Sequence, residues 1–386
     1  MKIVIDIQGM QTHQSRKRGV GRYVSEIVRE FVKLAHNHEV ILVANDNYGD
    51  TQESLQAILG DVQIAFWSFR AGDVRDVQRD REKFILKRRP DLVWMPSLQE
   101  GHGEDTVTSI NKTVDSACIW VTTVHDVIPL ILREDYLKDP NTRNWYEEKV
   151  VQSRKSDYLF TVSEFSKDKI SELLPFDKSK IFVVPPAVNL DMFNANEDAP
   201  IDASPYILFV SGYNPHKNVE RLIKAYSILP EGVRTTYKLL LVGAALADHH
   251  YQYVIDNNIQ NVEFLHSVST DELINYYRNC SLFVFPSYAE GFGIPPLEAM
   301  ACGAPTITSN AHSLPEVVGM AEAMFDPFDV DQMSGVMHRG LVDDAFRKEL
   351  IYNGTERARQ FGWKKSAQYA MGCFEEMYKN HIVKER

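Results

Sequence analysis

Residues 282–305 read LFVFPSYAEGFGIPPLEAMACGAP and combine the features of a strand, a loop and a helix. The apolar run at residues 282–286 is typical of a parallel strand that is buried on both faces. Pro295 and Pro296 suit the first turn of a helix, because backbone N–H groups there have no partner within the helix, and Gly303 suits the helix end. The segment therefore predicts one strand–loop–helix unit of an α/β fold.

The same alternation of short apolar runs and amphipathic segments extends along the whole chain. The runs predicted as strands are Lys2–Ile7, Val40–Ala44, Val62–Trp67, Leu92–Pro96, Ile119–Val124, Tyr158–Val162, Ile181–Val184, Tyr206–Val210, Lys238–Gly243, Val262–Phe264, Leu282–Pro286, Pro305–Ser309 and Ala323–Phe325. Helical patterns such as Val20–Leu34 lie between them. Such a chain is expected to form doubly wound parallel sheets, which bind ligands at the carboxyl ends of their strands.

The alternation is interrupted at Asn189–Ser204, a stretch rich in Asn, Asp, Ala and Pro. With 386 residues the chain is long enough for two domains. We predict a Rossmann-like domain at 1–190, a linker at 191–204 and a second Rossmann-like domain at 205–365. The two sheets are expected to face a cleft, and a helix at 366–386 is expected to cross back onto the first domain.

Composition narrows the classes of function. With 44% apolar and 25% charged residues the chain has the composition of a soluble globular protein, and no window approaches the roughly 18–20 apolar residues of a membrane span. Residues 1–7 are too short for a secretory leader. A net charge of −11 argues against nucleic acid as a partner. The four cysteines lack the spacing of a zinc site, so reduced thiols in the cytoplasm are expected.

The loop before the predicted helix has the features of an anion site. Gly291 and Gly293 leave the backbone bare where N–H groups and the positive end of the helix dipole converge. Glu298 lies about one turn inside the helix and can accept hydrogen bonds from vicinal hydroxyls, while Glu290 lies at the loop. Two carboxylates beside a diphosphate would repel it unless they bind hydroxyls. A sugar nucleotide therefore explains the two carboxylates better than a bare phosphate does. The alternative is that both are surface glutamates of an ordinary strand–turn–helix unit without a ligand.

Residues 290–305 (EGFGIPPLEAMACGAP) resemble the signature of retaining glycosyltransferases of family 4, in which seven residues separate two glutamates. Other stretches resemble motifs of that family and stand in the same order: Gly19–Tyr23 (GVGRY), His125–Pro129 (HDVIP), Val162–Ser166 (VSEFS), Pro185–Asn189 (PPAVN) and Ser211–Asn218 (SGYNPHKN). The similarity covers nearly the whole chain. It implies the GT-B fold, with an acceptor-binding first domain and a second domain that binds the nucleotide sugar.

The resemblance also implies roles for individual residues. His125, at the end of a strand, would contact the donor sugar, Lys217 would bind the diphosphate, and Glu290 would complete the catalytic group. The implied donor-binding residues are Gly19, Gly21, Arg22, Asp126, Gly212, His216, Val268, Phe292, Gly293, Ile294 and Glu298. A cation that faces the departing diphosphate stabilises the charge that develops there.

One departure from the family pattern concerns a second cation. Family members usually carry an arginine in the second-domain loop, where this chain has Tyr213 or His216. His216 would replace that cation only if its pKa were raised. Otherwise Arg16, Lys17, Arg18 or Arg22 would supply the charge.

The family's front-face mechanism implies that no metal and no cofactor are required. The chain does contain an Asp-x-Asp sequence, Asp329-Val330-Asp331, but this precedes a late helix and is interpreted as its N-cap region.

The segment Arg70–Asp91 holds eight basic and five acidic residues around a stripe of Val74, Val77, Phe84 and Ile85. Such a helix either touches anionic lipid or a lipid diphosphate, or packs on the core with its charged face in water. The same two interpretations, contact with an anionic group or a solvated surface, apply to the basic residues Arg16–Arg18. Their loop lies beside the glycine-rich turn and could contact a phosphate of the acceptor.

The leading hypothesis is a retaining hexosyltransferase that uses GDP-mannose, with UDP-glucose as the second candidate donor. Its acceptor would be lipid-linked or an oligosaccharide in surface polysaccharide assembly, and the protein would be cytoplasmic or peripheral at the inner membrane face. A nucleotide-sugar 2-epimerase and a silent sugar-nucleotide-binding subunit are the alternatives. A dinucleotide dehydrogenase is disfavoured because Gly19-Val20-Gly21 lacks the third glycine. The oligomeric state and the linkage position are not predicted.

Overall fold

The computed structural model describes residues 1–13, 15–16, 19–69, 74–99, 102, 106–110, 112, 117–195, 205–212, 214–243 and 248–385. They form two compact units, Met1–Pro186 together with Trp363–Arg386, and Ala187–Gly362. Each unit is built on one parallel sheet with helices packed on it. In the described part of the chain, no helix combines the length and the apolar character needed to span a membrane.

The first unit contains a seven-stranded sheet in the order β3-β2-β1-β4-β5-β6-β7. Its strands are β1 Lys2–Asp6, β2 Glu39–Asn45, β3 Gln63–Trp67, β4 Leu92–Met95, β5 Ile119–Thr123, β6 Tyr158–Thr161 and β7 Ile181–Val183. Its helices are α1 Gly19–Leu34, α2 Gln52–Leu59, α3 Val74–Leu86, α4 Ile128–Ile131, α5 Arg133–Tyr136, α6 Pro140–Ser153, α7 Glu164–Leu173 and, from the end of the chain, α16 Trp363–Glu385.

The second unit contains a six-stranded sheet in the order β10-β9-β8-β11-β12-β13. Its strands are β8 Tyr206–Val210, β9 Lys238–Val242, β10 Val262–Leu265, β11 Leu282–Phe285, β12 Thr306–Ser309 and β13 Met324–Phe325. Its helices are α8 Val219–Ser227, α9 Glu231–Thr236, α10 Asp248–Asp256, α11 Thr270–Asn279, α12 Ile294–Ala301, α13 Leu314–Val318, α14 Val330–Val342 and α15 Asp344–Ala358.

Every predicted strand is present, and each end lies within one residue of the predicted end. All pairings between the described strands are parallel, which confirms the doubly wound α/β architecture. The strand order reverses between β1 and β4 in the first sheet and between β8 and β11 in the second. Loops that leave the carboxyl ends of strands at such a reversal are where open α/β sheets bind ligands.

The last helix, α16, packs against the first unit, as predicted. Phe374 of α16 stacks on Phe160 of β6 with ring centroids 5.2 Å apart, and it also meets the rings of Phe31 in α1 and Trp94 in β4. All four side chains are buried. Burying this much aromatic surface stabilises the return of the chain to the first unit.

The contacts of the chain divide it after Pro186 and after Gly362. Within the segment 191–204, predicted as a linker, Phe193 is buried beside the ring of Tyr277 in the second unit. The neighbouring Asn194 accepts hydrogen bonds from Arg278 through its backbone carbonyl and its side chain, each at 2.7 Å. Residues 196–204 lie outside the described residues.

The charged helix α3 packs on the core. Val77 and Ile85 belong to the hydrophobic cluster of the first sheet, and Arg81 is fully buried in an ion pair with Asp6 of β1. Several of its exposed charges pair along the helix, as in Arg79–Asp76 and Lys83–Asp80. A face whose cations are matched by acids has little net attraction for an anionic surface, so the structure favours the core-packed interpretation. Residues 70–73 lie outside the described residues.

Candidate active site

The loop between β11 and α12 has the predicted geometry. Gly293 is the N-cap of α12 with φ of +116°, and the two prolines occupy the first helical turn. A side chain on Gly293 would be doubly disfavoured, because φ lies in the region that favours glycine and a Cβ would approach Leu314 to 2.7 Å. Gly303, also at positive φ, follows the helix end. Glycine is therefore required where the backbone turns into the helix.

Lys217 and Glu290 form an ion pair at this edge of the second sheet. Lys217 lies in a short 3-10 turn after β8 and Glu290 in the loop after β11, so the pair stands where the strand order reverses. Nζ and Oε1 are 2.7 Å apart, and the side chains are only 15% and 10% exposed. Burial raises the pKa of the Glu290 carboxyl, but the charge and hydrogen bond of Lys217, together with contributions from His216 and the Ser287 hydroxyl, hold that pKa below its ordinary value.

His216, next to Lys217, does not have the raised pKa that it would need to act as the second cation. Burial, followed by the charge of Lys217, lowers its pKa to about 4, so the ring is neutral near pH 7. His216 therefore does not provide the second cation. Instead its backbone carbonyl accepts hydrogen bonds from the Ser287 hydroxyl at 3.0 Å and the Tyr288 N–H at 2.9 Å. Tyr213, Lys17 and Arg18 lie outside the described residues.

Other predicted donor-binding residues lie on the same edge of the second sheet. Glu298, in α12, is buried and accepts a hydrogen bond from the Tyr277 hydroxyl at 3.2 Å. Phe292 is buried against Phe361, and Ile294 is the first residue of α12. Gly212 lies in the exposed loop after β8, and Val268 is half-buried in the loop after β10. A direct contact with a donor stays a prediction for each of them.

In the first unit the structure brings two motifs together, because His125 of the HDVIP motif packs on Tyr23 of the GVGRY motif. The two rings meet edge to face with centroids 4.8 Å apart. Nε2 of His125 lies 2.9 Å from the carbonyl oxygen of Pro96, the residue after β4. Burial lowers the pKa of His125 to about 4. Because a carbonyl can only accept, Nε2 carries the proton in this contact, and Nδ1 of the neutral ring is a hydrogen-bond acceptor.

Asp126 shapes the turn after β5. Its Oδ1 accepts a hydrogen bond at 2.9 Å from the backbone N–H of Ile128, the first residue of α4. Asp329 is the N-cap of α14, where its side chain accepts from the Gln332 N–H at 2.9 Å. The interpretation of Asp329 as an N-cap is therefore confirmed.

The glycine-rich turn opens α1 with Gly19, and Arg22 is half-buried on its first turn. Gly21 has a packing role that the sequence analysis missed. A Cβ on Gly21 would lie 2.2 Å from the carbonyl oxygen of Ser15, so only glycine lets the preceding loop cross the helix this closely. That loop carries Arg16, whose guanidinium pairs with the Asp50 carboxylate at 3.0 Å.

Some residues that build the site were also missed. Ser313 is fully buried, and its hydroxyl bonds to the carbonyls of Glu290 at 3.0 Å and Phe292 at 2.8 Å. Asn218, after Lys217, binds the loops that follow β11 and β13. Asn tolerates positive φ better than most residues with a Cβ, so its position at the end of PHKN could have predicted a left-handed turn before α8. A serine that is remote in sequence carries no such signal.

Two family models match the chain. The model described as "Glycosyltransferase Family 4" matches residues 17–192, and "Glycosyl transferases group 1" matches residues 193–357. Together they match residues 17–357, which include most of both structural units.

Curated relatives and solved structures agree with these matches. The serotype-specific mannosyltransferase WbdA of Escherichia coli is 32% identical over 97% of this chain, but the chain spans only about half (48%) of that relative. O-antigen chain mannosyltransferase B of Escherichia coli is 31% identical over 92% of this chain and 96% of its own length. Sucrose-phosphate synthase from Thermosynechococcus elongatus has the same fold, with a TM-score of 0.75, 19% identity and coverage of 98% and 100% of the two chains.

Proposed function

The chain belongs to family 4 of the glycosyltransferases, and we propose that it transfers mannose from GDP-mannose to a lipid-linked or oligosaccharide acceptor during assembly of a surface polysaccharide. The buried Lys217–Glu290 pair, at the carboxyl ends of β8 and β11, carries this proposal. The choice of mannose is supported by relatives that are named mannosyltransferases. UDP-glucose remains the second donor to test.

The second unit would bind the donor. The diphosphate would lie against the N-terminus of α12, where the positive end of the helix dipole favours an anion and Gly293 leaves the backbone without a side chain. Lys217 would neutralise the charge that develops on the departing phosphate. An ammonium has three N–H donors, and the contact with Glu290 uses one of them. Glu290 thus holds Nζ in place.

The proposed reaction retains the configuration of the sugar. The bond between the anomeric carbon and the phosphate oxygen breaks, and the acceptor hydroxyl attacks from the same face. A phosphate oxygen of the leaving diphosphate takes the hydroxyl proton, so no separate protein base is required. In the first unit, Nδ1 of the neutral His125 ring is suited to accept a hydrogen bond from a sugar hydroxyl. The proposal includes no metal, and activity should persist in excess EDTA.

The first experiment is a thermal-shift panel of GDP, UDP, ADP and their hexose conjugates. A ligand at 100 times its dissociation constant stabilises a protein by roughly 2.7 kcal/mol, which is enough to rank the bases. GDP and GDP-mannose are expected to give the largest shifts. A preference for UDP and UDP-glucose would replace mannose by glucose in the proposal.

The second experiment measures donor consumption with and without a mannosyl oligosaccharide acceptor, in the wild type and in Glu290→Ala. The wild type should form an α-linked product, and the variant should not. A free epimerised nucleotide sugar would indicate the 2-epimerase alternative. Equal background in both proteins with every donor would indicate a silent binding subunit.

A further inference from the structure

Asn218 occupies an unusual position beside the proposed catalytic pair. It follows Lys217 directly and is the N-cap of α8, with φ of +63° and ψ of 31°. Residues with a Cβ rarely adopt this left-handed conformation, and Asn tolerates it better than most. The residue is 4% exposed, so its amide must find partners inside the protein.

Three loops meet at this amide. Nδ2 donates one hydrogen bond to the carbonyl of Pro286 at 3.0 Å and another to the carbonyl of Pro327 at 2.6 Å. Oδ1 accepts from Arg221 at 2.9 Å. Both N–H groups of the amide are therefore used, one on the loop after β11 and one on the loop after β13. The backbone of Asn218 itself belongs to the loop after β8.

These bonds connect the two halves of the ion pair. Pro286 begins the segment that reaches Glu290, while Asn218 is covalently joined to Lys217. Two further hydrogen bonds, from Ser287 and Tyr288 to the His216 carbonyl, join the same two loops. Among these contacts, only the Asn218 amide also binds the loop after β13. The Asn218 side chain takes no part in the proposed chemistry.

We propose that Asn218 is a positioning residue: its amide holds the Lys217 loop against the Glu290 loop and so aims the ammonium at the leaving diphosphate. This inference rests on the proposed function of Lys217 and Glu290. Its expected signature is a loss in kcat larger than any change in the KM for the donor. An interaction made mainly in the transition state affects kcat in this way, and a small misplacement of a catalytic group costs on the order of 100-fold in rate.

The chain offers a matched pair of variants. Asn218→Gly keeps the left-handed backbone without strain and removes only the amide. Asn261→Gly makes the same change at φ of +61°, where the amide donates one bond to the Arg234 carbonyl at 2.9 Å before β10. Asn218→Gly is expected to lower kcat by about 10- to 100-fold with a donor KM within about 2-fold of the wild type. Asn261→Gly is expected to leave both constants unchanged.

A pH profile provides a readout that a merely structural role would not move. The charged and polar groups that face Glu290 are Lys217, His216 and the Ser287 hydroxyl. If Lys217 moves away, the pKa of Glu290 rises, and the acid limb of kcat/KM should shift to higher pH in Asn218→Gly alone. The limb should stay in place in Asn261→Gly.

Asn218→Asp is the second test, because it keeps the size and backbone preference of Asn but cannot donate to the two carbonyls. It should lose kcat to a similar degree. Equal kcat in Asn218→Gly, Asn218→Asp and the wild type would overturn the proposal, and so would failure of both variants to fold, which would make Asn218 a folding residue. A wild type that transfers no sugar would refute the proposed function itself and is seen before any variant is made.

Discussion

Nζ of Lys217 lies 2.7 Å from Oε1 of Glu290, although the two residues are 73 positions apart in sequence. Lys224 and Glu220, on the surface of α8, are also 2.7 Å apart, but their side chains are 42% and 47% exposed. The two pairs share chemistry and distance and differ in their surroundings. In water such a pair contributes little to stability, whereas a buried pair leaves an uncompensated charge when one partner is removed.

Glu290→Gln and Glu220→Gln should therefore behave very differently. Glu290→Gln is expected to lower the free energy of unfolding by about 3 kcal/mol and the transfer rate by about 100-fold or more, since Lys217 loses its ion-pair partner and its anchor. Glu220→Gln should change stability by less than about 1 kcal/mol and leave the rate unchanged. Urea unfolding and initial rates measure both effects. Similar results for the two variants would mean that burial does not distinguish the pairs.

A second prediction concerns the glycine-rich turn. In Gly21→Ala the new Cβ would collide with the Ser15 carbonyl at 2.2 Å, so the loop that carries Arg16 must move. We expect a loss of stability of about 1–3 kcal/mol together with reduced transfer. Gly335→Ala makes the same change within helix α14, where a Cβ meets nothing within 4 Å, and should stabilise the protein by up to about 1 kcal/mol. Opposite signs of the two changes in unfolding free energy are the expected result, and equal values would contradict it.

A third prediction concerns acid stability. His250 is buried in α10, its Nδ1 has no partner among the described residues, and burial lowers its pKa to about 4. Between that value and the ordinary pKa of about 6.5, the unfolded chain binds more protons than the folded one, so stability falls as the pH falls. From pH 7.5 to pH 5 this residue should account for a loss of about 2 kcal/mol.

His250→Gln should remove that share of the loss, which urea unfolding at the two pH values would measure. The exposed neighbour His249 offers the control, because His249→Gln should change the acid sensitivity much less. An unchanged loss in His250→Gln would show that His250 is not the group that titrates in this range.

A fourth prediction concerns the buried Glu298 carboxylate. Tyr277→Phe removes the hydroxyl that bonds to Glu298 at 3.2 Å, and Tyr206→Phe removes one that bonds to the Tyr276 carbonyl at 2.9 Å. Each change should cost about 1 kcal/mol of stability. If Glu298 binds donor hydroxyls, only Tyr277→Phe should also weaken GDP binding, by roughly 5- to 10-fold, since a loosened carboxylate binds less well. Isothermal titration of both variants checks this, and equal affinities would exclude the role of Tyr277 in holding Glu298.

The sequence predicted the regular structure closely because its signals are local. The apolar run 282–286, the prolines of α12 and the glycines at its two ends each constrain neighbouring residues, and the helix formed where they indicated. The same holds for the cap at Asp329, whose side chain bonds to a backbone N–H three residues ahead.

Interactions between distant segments were not predictable in this way. The expectation for His216 depended on its pKa, and that pKa is determined by burial and by the charge of Lys217 rather than by the local sequence. Arg81 is a cation in a charged helix by sequence, yet in the fold it is buried against Asp6. Gly21 was predicted as a donor-binding residue from its motif, but the structure shows that glycine is needed there because the carbonyl of Ser15 lies too close for a Cβ.

By itself, then, the sequence determined the succession of strands and helices, the glycine and proline positions of the α12 loop, and the residues that resemble a sugar-nucleotide site. Only the tertiary structure decided that Lys217 pairs with Glu290, that His125 packs on Tyr23, and that Asn218 joins three loops. The physical reason is that hydrogen bonds, burial and charge act through space. Their partners become known only when the sheet brings the carboxyl ends of its strands to one edge.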